Sequence, residues 1–231
     1  MSRDCIIDKE KIGIVSYFIK ALGPQYFYEL ELQDPQLISL KTLRAKCMGK
    51  EFYELVIGAS LIAYRLRRSG EDFWAAFSQF EHYCEDPYFS LESYIIKERE
   101  LARNAKIRRV RTLREKRGLL LKRLDRYFED LGLLYKDLMK IFGNRYQKTV
   151  SFACKMFHYA MIIDGRHGIV PMDIPIPLDS RVRRITQKLG IVGKSSDHEC
   201  YLKAWKLVSD LSGIDQIHLD VFLWRKLHNA V

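Results

Sequence analysis

The chain has 231 residues, 48% of them hydrophobic and 12% aromatic, which is enough to fill a sizeable core and too apolar for a disordered protein. Thirty-nine basic against 29 acidic residues give a formal charge of +10, so an anionic partner is expected, nucleic acid first. No signal peptide is expected, because Asp4, Asp8 and Glu10 fall where one would be basic and then apolar, and the longest apolar run, Leu55 to Tyr64, is too short to cross a bilayer.

In chain order, apolar periodicity predicts helices near 6–21, 35–48, 50–68, 71–83, 90–104, 106–117, 119–130, 134–142, 148–164, 180–190, 198–212 and 215–228. No segment alternates as a strand would, so the fold class is all-α. Cys5, Cys47, Cys84, Cys154 and Cys200 are odd in number and lack any clustered spacing. They are expected to be reduced in an intracellular, cytoplasmic protein with no zinc or iron-sulfur cluster. His198 beside Cys200 is too sparse for a metal site.

Between Arg103 and Arg123 stand ten basic residues (Arg103, Lys106, Arg108, Arg109, Arg111, Arg114, Lys116, Arg117, Lys122 and Arg123) against one acid, Glu115. Ile107, Val110, Leu113 and Leu119 to Leu121 keep an apolar side. The ordinary reading is a solvated face; phosphate contact is the alternative.

From Leu133 to Asp164 the pattern is helix, turn, helix, the turn being Gly143-Asn144-Arg145-Tyr146-Gln147. Lys148 falls in the first turn of the second helix, where the positive end of the macrodipole disfavours a cation. An ordinary lysine, with a pKa of about 10.4, needs about 4.6 kcal/mol to present a neutral amine at pH 7, so a nucleophilic role requires help from its surroundings. A solvated turn lysine is the ordinary reading. After a helix of roughly 24 Å, the segment from Gly165 to Asp179 can span up to about 45 Å, long enough to return toward the lysine. Pro175 and Pro177 forbid helix in this strap, and Asp179 is placed to cap the helix that follows.

Helical spacing adds two pairs. Lys148 and Phe152 are four residues apart, with Lys155 and Tyr159 continuing their stripe, and Asp220 and Trp224 share another with Ile217 and Val221. Asp220 thus lies in an apolar face, either paired structurally or kept to bind something.

The segments Phe142-Gly-Asn-Arg-Tyr-Gln-Lys-Thr-Val-Ser-Phe152, Pro171-Met-Asp-Ile-Pro-Ile-Pro-Leu-Asp-Ser-Arg-Val182 and Gly213-Ile-Asp-Gln-Ile-His-Leu-Asp-Val-Phe-Leu-Trp224 together resemble the archaeal GO glycosylases (AGOG), a family of 8-oxoguanine DNA glycosylase/AP lyases. Weaker echoes lie at Gln33-Asp-Pro-Gln36 and from Tyr64 to Trp74. The resemblance implies a single glycosylase unit over 1–231 with two helical lobes, near 60–165 (containing the helix-hairpin-helix, 133–164) and 1–59 with 180–231. It implies a bifunctional enzyme: Lys148 attacks C1′ to form a Schiff base, Asp179 stabilises charge on the sugar, and β-elimination nicks the strand. Gln36, Trp74, Lys148, Phe152, Asp220 and Trp224 match base-binding positions. No cofactor or metal is implied, the partner is DNA containing 8-oxoguanine, and a monomer with nucleoid-associated activity is expected. The hairpin lacks the superfamily's usual Gly-x-Gly turn, which puts glycine-amide contacts to phosphate in doubt. A non-enzymatic DNA-binding module and a glycosylase for another damaged base are the alternatives.

Overall fold

The computed structural model describes residues 5–193 and 197–227. Each helix expected from periodicity is present among them, and residue 228, the expected end of the last one, lies outside the described residues. They are α1 (Lys9–Leu32), α2 (Pro35–Lys46), α3 (Glu51–Ile62), α4 (Gly70–Gln79), α5 (Pro87–Lys97), α6 (Arg103–Glu115), α7 (Arg117–Glu129), α8 (Leu131–Phe142), α9 (Gln147–Ile163), α10 (Ser180–Lys188), α11 (His198–Ser212) and α12 (Gln216–Arg225). Among the described residues extended pairing is confined to two isolated bridges, Ile7 with Val192 and Asp130 with Ile169. The starts are written in side chains. Asp34, Ser69, Asp86, Asp130, Asp179 and Asp197 each accept a first-turn N–H, and Pro35 and Pro87 follow two of these caps. α1 runs beyond its expected end because the chain resumes helix after a break at Gly23, whose φ of 74° is left-handed, with Pro24 opening the second half.

Two compact units result: Met1–Leu32 with Val170–Val231, and Gln33–Ile169. The boundary falls after Leu32 rather than near residue 59, because α2 packs on α4 and α9, and α3 on α9 and α5. In the first unit α1, α11 and α12 pack around Ile19, Phe27, Trp205 and Leu219, all buried. The Trp205 indole N–H donates to Thr186 Oγ1 at 2.9 Å. In the second unit α3 is buried on every face, as its nearly unbroken apolar sequence requires. Gly58 lets α5 approach it, since a Cβ there would stand 2.2 Å from Leu91 Cδ1.

The cysteines are not reduced as expected. Cys5 pairs with Cys200 and Cys47 with Cys84, leaving Cys154 as the free thiol, buried in α9. Their Cα atoms are 5.3 and 5.4 Å apart, bonding distance for disulfides, yet the partners are 195 and 37 residues apart in sequence. Only the tertiary fold brings them together, so spacing could not show it.

Candidate active site

The hairpin is built as the sequence implies. α8 ends at Phe142, Gly143 turns the chain with a φ of 80°, Asn144–Tyr146 forms one 3-10 turn, and α9 begins. Lys148 is exposed in the first turn of α9, and Phe152, one turn on, is half-buried with no ring partner among the described residues. Arg109 braces this turn. Its guanidinium lies 3.8 Å from the Tyr64 ring centroid and 4.4 Å from that of Tyr146, and it donates to the Leu61 carbonyl at 2.6 Å.

Much of the basic segment is exposed, as its ordinary reading expects, and part of it is structural. Lys106 pairs with Glu100 at 2.6 Å, Arg111 with Glu92 at 3.3 Å, Arg114 with Asp86 at 3.0 Å, Arg117 with Glu54 at 3.0 Å and Arg123 with Asp137 at 2.7 Å. Glu54, Glu100 and Asp137 are buried, so Arg117, Lys106 and Arg123 neutralise carboxylates that the core would otherwise reject. Composition could not show these pairs, because the acids come from outside the segment, from α3, α5, α8 and the loops.

The second unit gathers four of the proposed site residues. Lys148 and Phe152 lie on α9, and the same stripe continues into Lys155 and Tyr159. These meet Asp34: Tyr159 OH donates to Asp34 Oδ2 at 2.8 Å and Lys155 Nζ stands 3.7 Å from it. Asp34 Oδ1 caps α2 by accepting the Gln36 N–H at 2.9 Å, so the helix that carries Lys148 is tied to the turn that presents Gln36. A Cβ on Gly70 would lie 3.4 Å from Gln36 Nε2, which sets Gln36 against the start of α4, one turn before Trp74. Two polar atoms here are buried without a protein partner among the described residues, Gln36 Oε1 and Trp74 Nε1. Each is an exception of the kind proteins avoid, costing about 1–3 kcal/mol, and one is an acceptor while the other is a donor.

The first unit gathers Asp179, Asp220 and Trp224. Asp179 Oδ1 caps α10, accepting from the Arg181 and Val182 N–H groups at 2.9 and 2.8 Å, and its Oδ2 has no partner among the described residues. The strap before it is anchored by a continuous buried run, Ile174 to Leu178, prolines included. Gln216 pins it: its Oε1 accepts the Ile176 N–H at 3.2 Å and its Nε2 donates to the Met172 carbonyl at 3.0 Å. Gln216, Asp220 and Trp224 follow one another at four-residue spacing on α12, so one stripe both fixes the strap and carries two site residues. Asp220 is buried, Trp224 half-buried, and the Arg181 guanidinium stacks 3.2 Å from the Trp224 ring centroid. The sequence contained no separate signal for Gln216, an ordinary amide near a helix start.

Fold and side chains define a class: a helical glycosylase of the helix-hairpin-helix kind, with a lysine in the first turn after the hairpin. The family model described as AGOG: N-glycosylase/DNA lyase matches residues 16–230, and the chain belongs to that family. An N-glycosylase/DNA lyase of Pyrobaculum aerophilum is 32% identical over 219 residues, 89% of this chain and 82% of its own length. One from Thermococcus kodakarensis is 32% identical over 230 residues, 94% and 84% of the two chains. The crystal structure of an 8-oxoguanine DNA glycosylase from Pyrobaculum aerophilum, complexed with 8-oxoguanosine, superposes with a TM-score of 0.77 at 30% identity, covering 96% of this chain and 92% of that one.

Proposed function

We propose that this chain excises 8-oxoguanine from DNA and then nicks the strand, with Lys148 as nucleophile. The orphaned pair Gln36 Oε1 and Trp74 Nε1 carries this reading. 8-Oxoguanine differs from guanine by a hydrogen on N7 and an oxygen at C8, so it offers a donor and an acceptor where guanine offers an acceptor and a C–H. Gln36 Oε1 accepts from N7–H and Trp74 Nε1–H donates to O8. Guanine leaves both protein atoms unpaired, a discrimination of about 1–3 kcal/mol per lost bond. The Pyrobaculum relative, which holds 8-oxoguanosine, supports this choice of base.

The base must leave the duplex stack to be reached, and Phe152 and Trp224 offer it ring faces while Asp220 accepts from its Watson-Crick edge. The neutral Lys148 amine attacks C1′; the C1′–N9 bond breaks and its electron pair leaves with the base, which takes up a proton. Opening of the sugar ring gives the Schiff base, and removal of a C2′ proton expels the 3′ phosphate. Asp179 supports the positive charge that develops on the sugar, its direction fixed by the two N–H groups of α10. Borohydride added to the protein and an oligonucleotide bearing one 8-oxoguanine is expected to trap a covalent adduct that Lys148→Ala abolishes. An undiminished adduct in that variant would remove Lys148 from the mechanism. Asp220→Ala is expected to lose excision while retaining duplex affinity, and a uniform fall in affinity would show a structural role instead.

A further inference from the structure

Three amides of the hairpin turn are engaged within it. Gly143 N–H donates to the Met139 carbonyl at 2.8 Å, Tyr146 N–H to the Gly143 carbonyl at 3.0 Å, and Gln147 N–H to the Asn144 carbonyl. These amides close the turn on itself, and a strand passing the hairpin can also be gripped by side chains beside it. Directly beside the turn, α7 and α8 enclose an open cleft of about 490 Å³ lined by Lys116, Leu119, Arg123, Asp137, Lys140 and Ile141.

The charge of this cleft is uneven. Asp137 is taken by Arg123, at 2.7 and 2.9 Å, and by the Tyr127 hydroxyl at 2.6 Å. Lys116 and Lys140 are exposed and carry no ion pair among the described residues, so three cations face one carboxylate and the excess is the two lysines. Lys140 lies in the last turn of α8, where the macrodipole favours a cation, and Lys116 stands at the junction that closes α6 and opens α7. Leu119 and Ile141 supply apolar wall between them. Phosphate with an adjoining sugar, anionic on one side and apolar on the other, fits that lining.

We propose that this cleft is a DNA-backbone site, in which Lys116 and Lys140 hold phosphates of the strand flanking the lesion beside the hairpin turn. The inference rests on the chain acting on DNA as proposed above, but it concerns anchoring and not chemistry. The test measures binding to a duplex carrying a tetrahydrofuran abasic analogue, which cannot form a Schiff base, across a series of salt concentrations. For Lys116→Ala with Lys140→Ala the fall of log K with log salt is expected to be shallower by about 0.9 for each phosphate no longer held. Excision by excess, saturating enzyme in a single turnover is expected to stay unchanged, and Lys140→Arg to keep the slope of the unaltered protein. Lys97→Ala, on an exposed lysine of α5, serves as the control. A slope unmoved by the double substitution, or moved equally by Lys97→Ala, would overturn the cleft alone. Failure of the unaltered protein to bind the duplex would overturn the reading on which it rests as well.

Discussion

Two tryptophans of this chain make a paired experiment. Trp74 and Trp205 are both fully buried, but Trp205 Nε1 donates to Thr186 at 2.9 Å while Trp74 Nε1 has no protein partner among the described residues. Replacing either with Phe removes the same atoms and leaves a comparable void, so the packing losses nearly cancel between the two variants. The hydrogen-bond contributions do not. Trp205→Phe forfeits a bond worth about 1 kcal/mol net, whereas Trp74→Phe relieves an orphaned donor worth about 1–3 kcal/mol. Trp74→Phe is therefore expected to be the more stable variant by about 2–4 kcal/mol, a gap of roughly 5–15 °C in melting temperature for a chain of this size. Activity should run the other way. Single-turnover excision of 8-oxoguanine is expected to fall about 5-fold to 150-fold in Trp74→Phe, the kinetic equivalent of one lost bond of about 1–3 kcal/mol to O8, and to survive in folded Trp205→Phe. Calorimetry and a gel-based excision assay measure both quantities. Equal destabilisation by the two substitutions, with excision retained in Trp74→Phe, would refute the claim that its indole N–H is reserved for the base.

Gln216→Ala should free the strap by removing both of its bonds to Met172 and Ile176, at a cost of about 1–3 kcal/mol, and slow excision more than it weakens binding to duplex; unchanged excision would show that the strap holds Asp179 without it. Thiol titration of the unfolded, unreduced protein is expected to find the single thiol of Cys154 and, after reduction, five, with the reduced form less stable by up to about 4 kcal/mol for the shorter loop alone; five thiols before reduction would contradict both pairings. His82 is held below its ordinary value of 6.5, first by burial, with one ring nitrogen at 2.6 Å from the Phe77 carbonyl and the other at 2.7 Å from Ser90 Oγ. Because the unfolded chain takes up that proton first, its contribution is full above pH 6.5 and declines as pH falls toward the depressed folded value. His82→Gln should flatten the loss of stability as pH falls below about 6.5, and an unaltered profile would exclude His82 as its source.

How much of this was legible depended on the range of the interaction. Helices are local, and Asp179-Ser180 announced itself as a cap. The hairpin, strap and α12 stripe were likewise readable, because four-residue spacing places Asp220 and Trp224 on one face regardless of what they meet. Pairings between distant segments were not. Nothing near Arg117 indicates that Glu54 is its partner 63 residues away, nor does anything near Cys5 point to Cys200. The basic segment was half legible for that reason: its solvated face was expected, but the pairing of Lys106, Arg117 and Arg123 with buried carboxylates from other parts of the chain was not.

The two capping aspartates show why ordinary and functional roles coincide here. A cap needs a carboxylate oxygen aimed at first-turn N–H groups, which fixes the carboxylate in direction and keeps it an acceptor. At Asp179 one oxygen does this work and the other is without a protein partner among the described residues, as the proposed role toward the sugar requires. At Asp34 the second oxygen is instead bound by Tyr159 and faced by Lys155, so the same device is turned inward to set the helix that carries Lys148 against the turn that presents Gln36. Substituting either residue with Asn preserves an acceptor for the cap and removes only the charge. Asp179→Asn should accordingly retain the fold and lose chemistry, while Asp34→Asn should lose stability because Lys155 keeps its charge in a buried site. Equal melting temperatures for the two variants would show that Asp34 is a cap and nothing more.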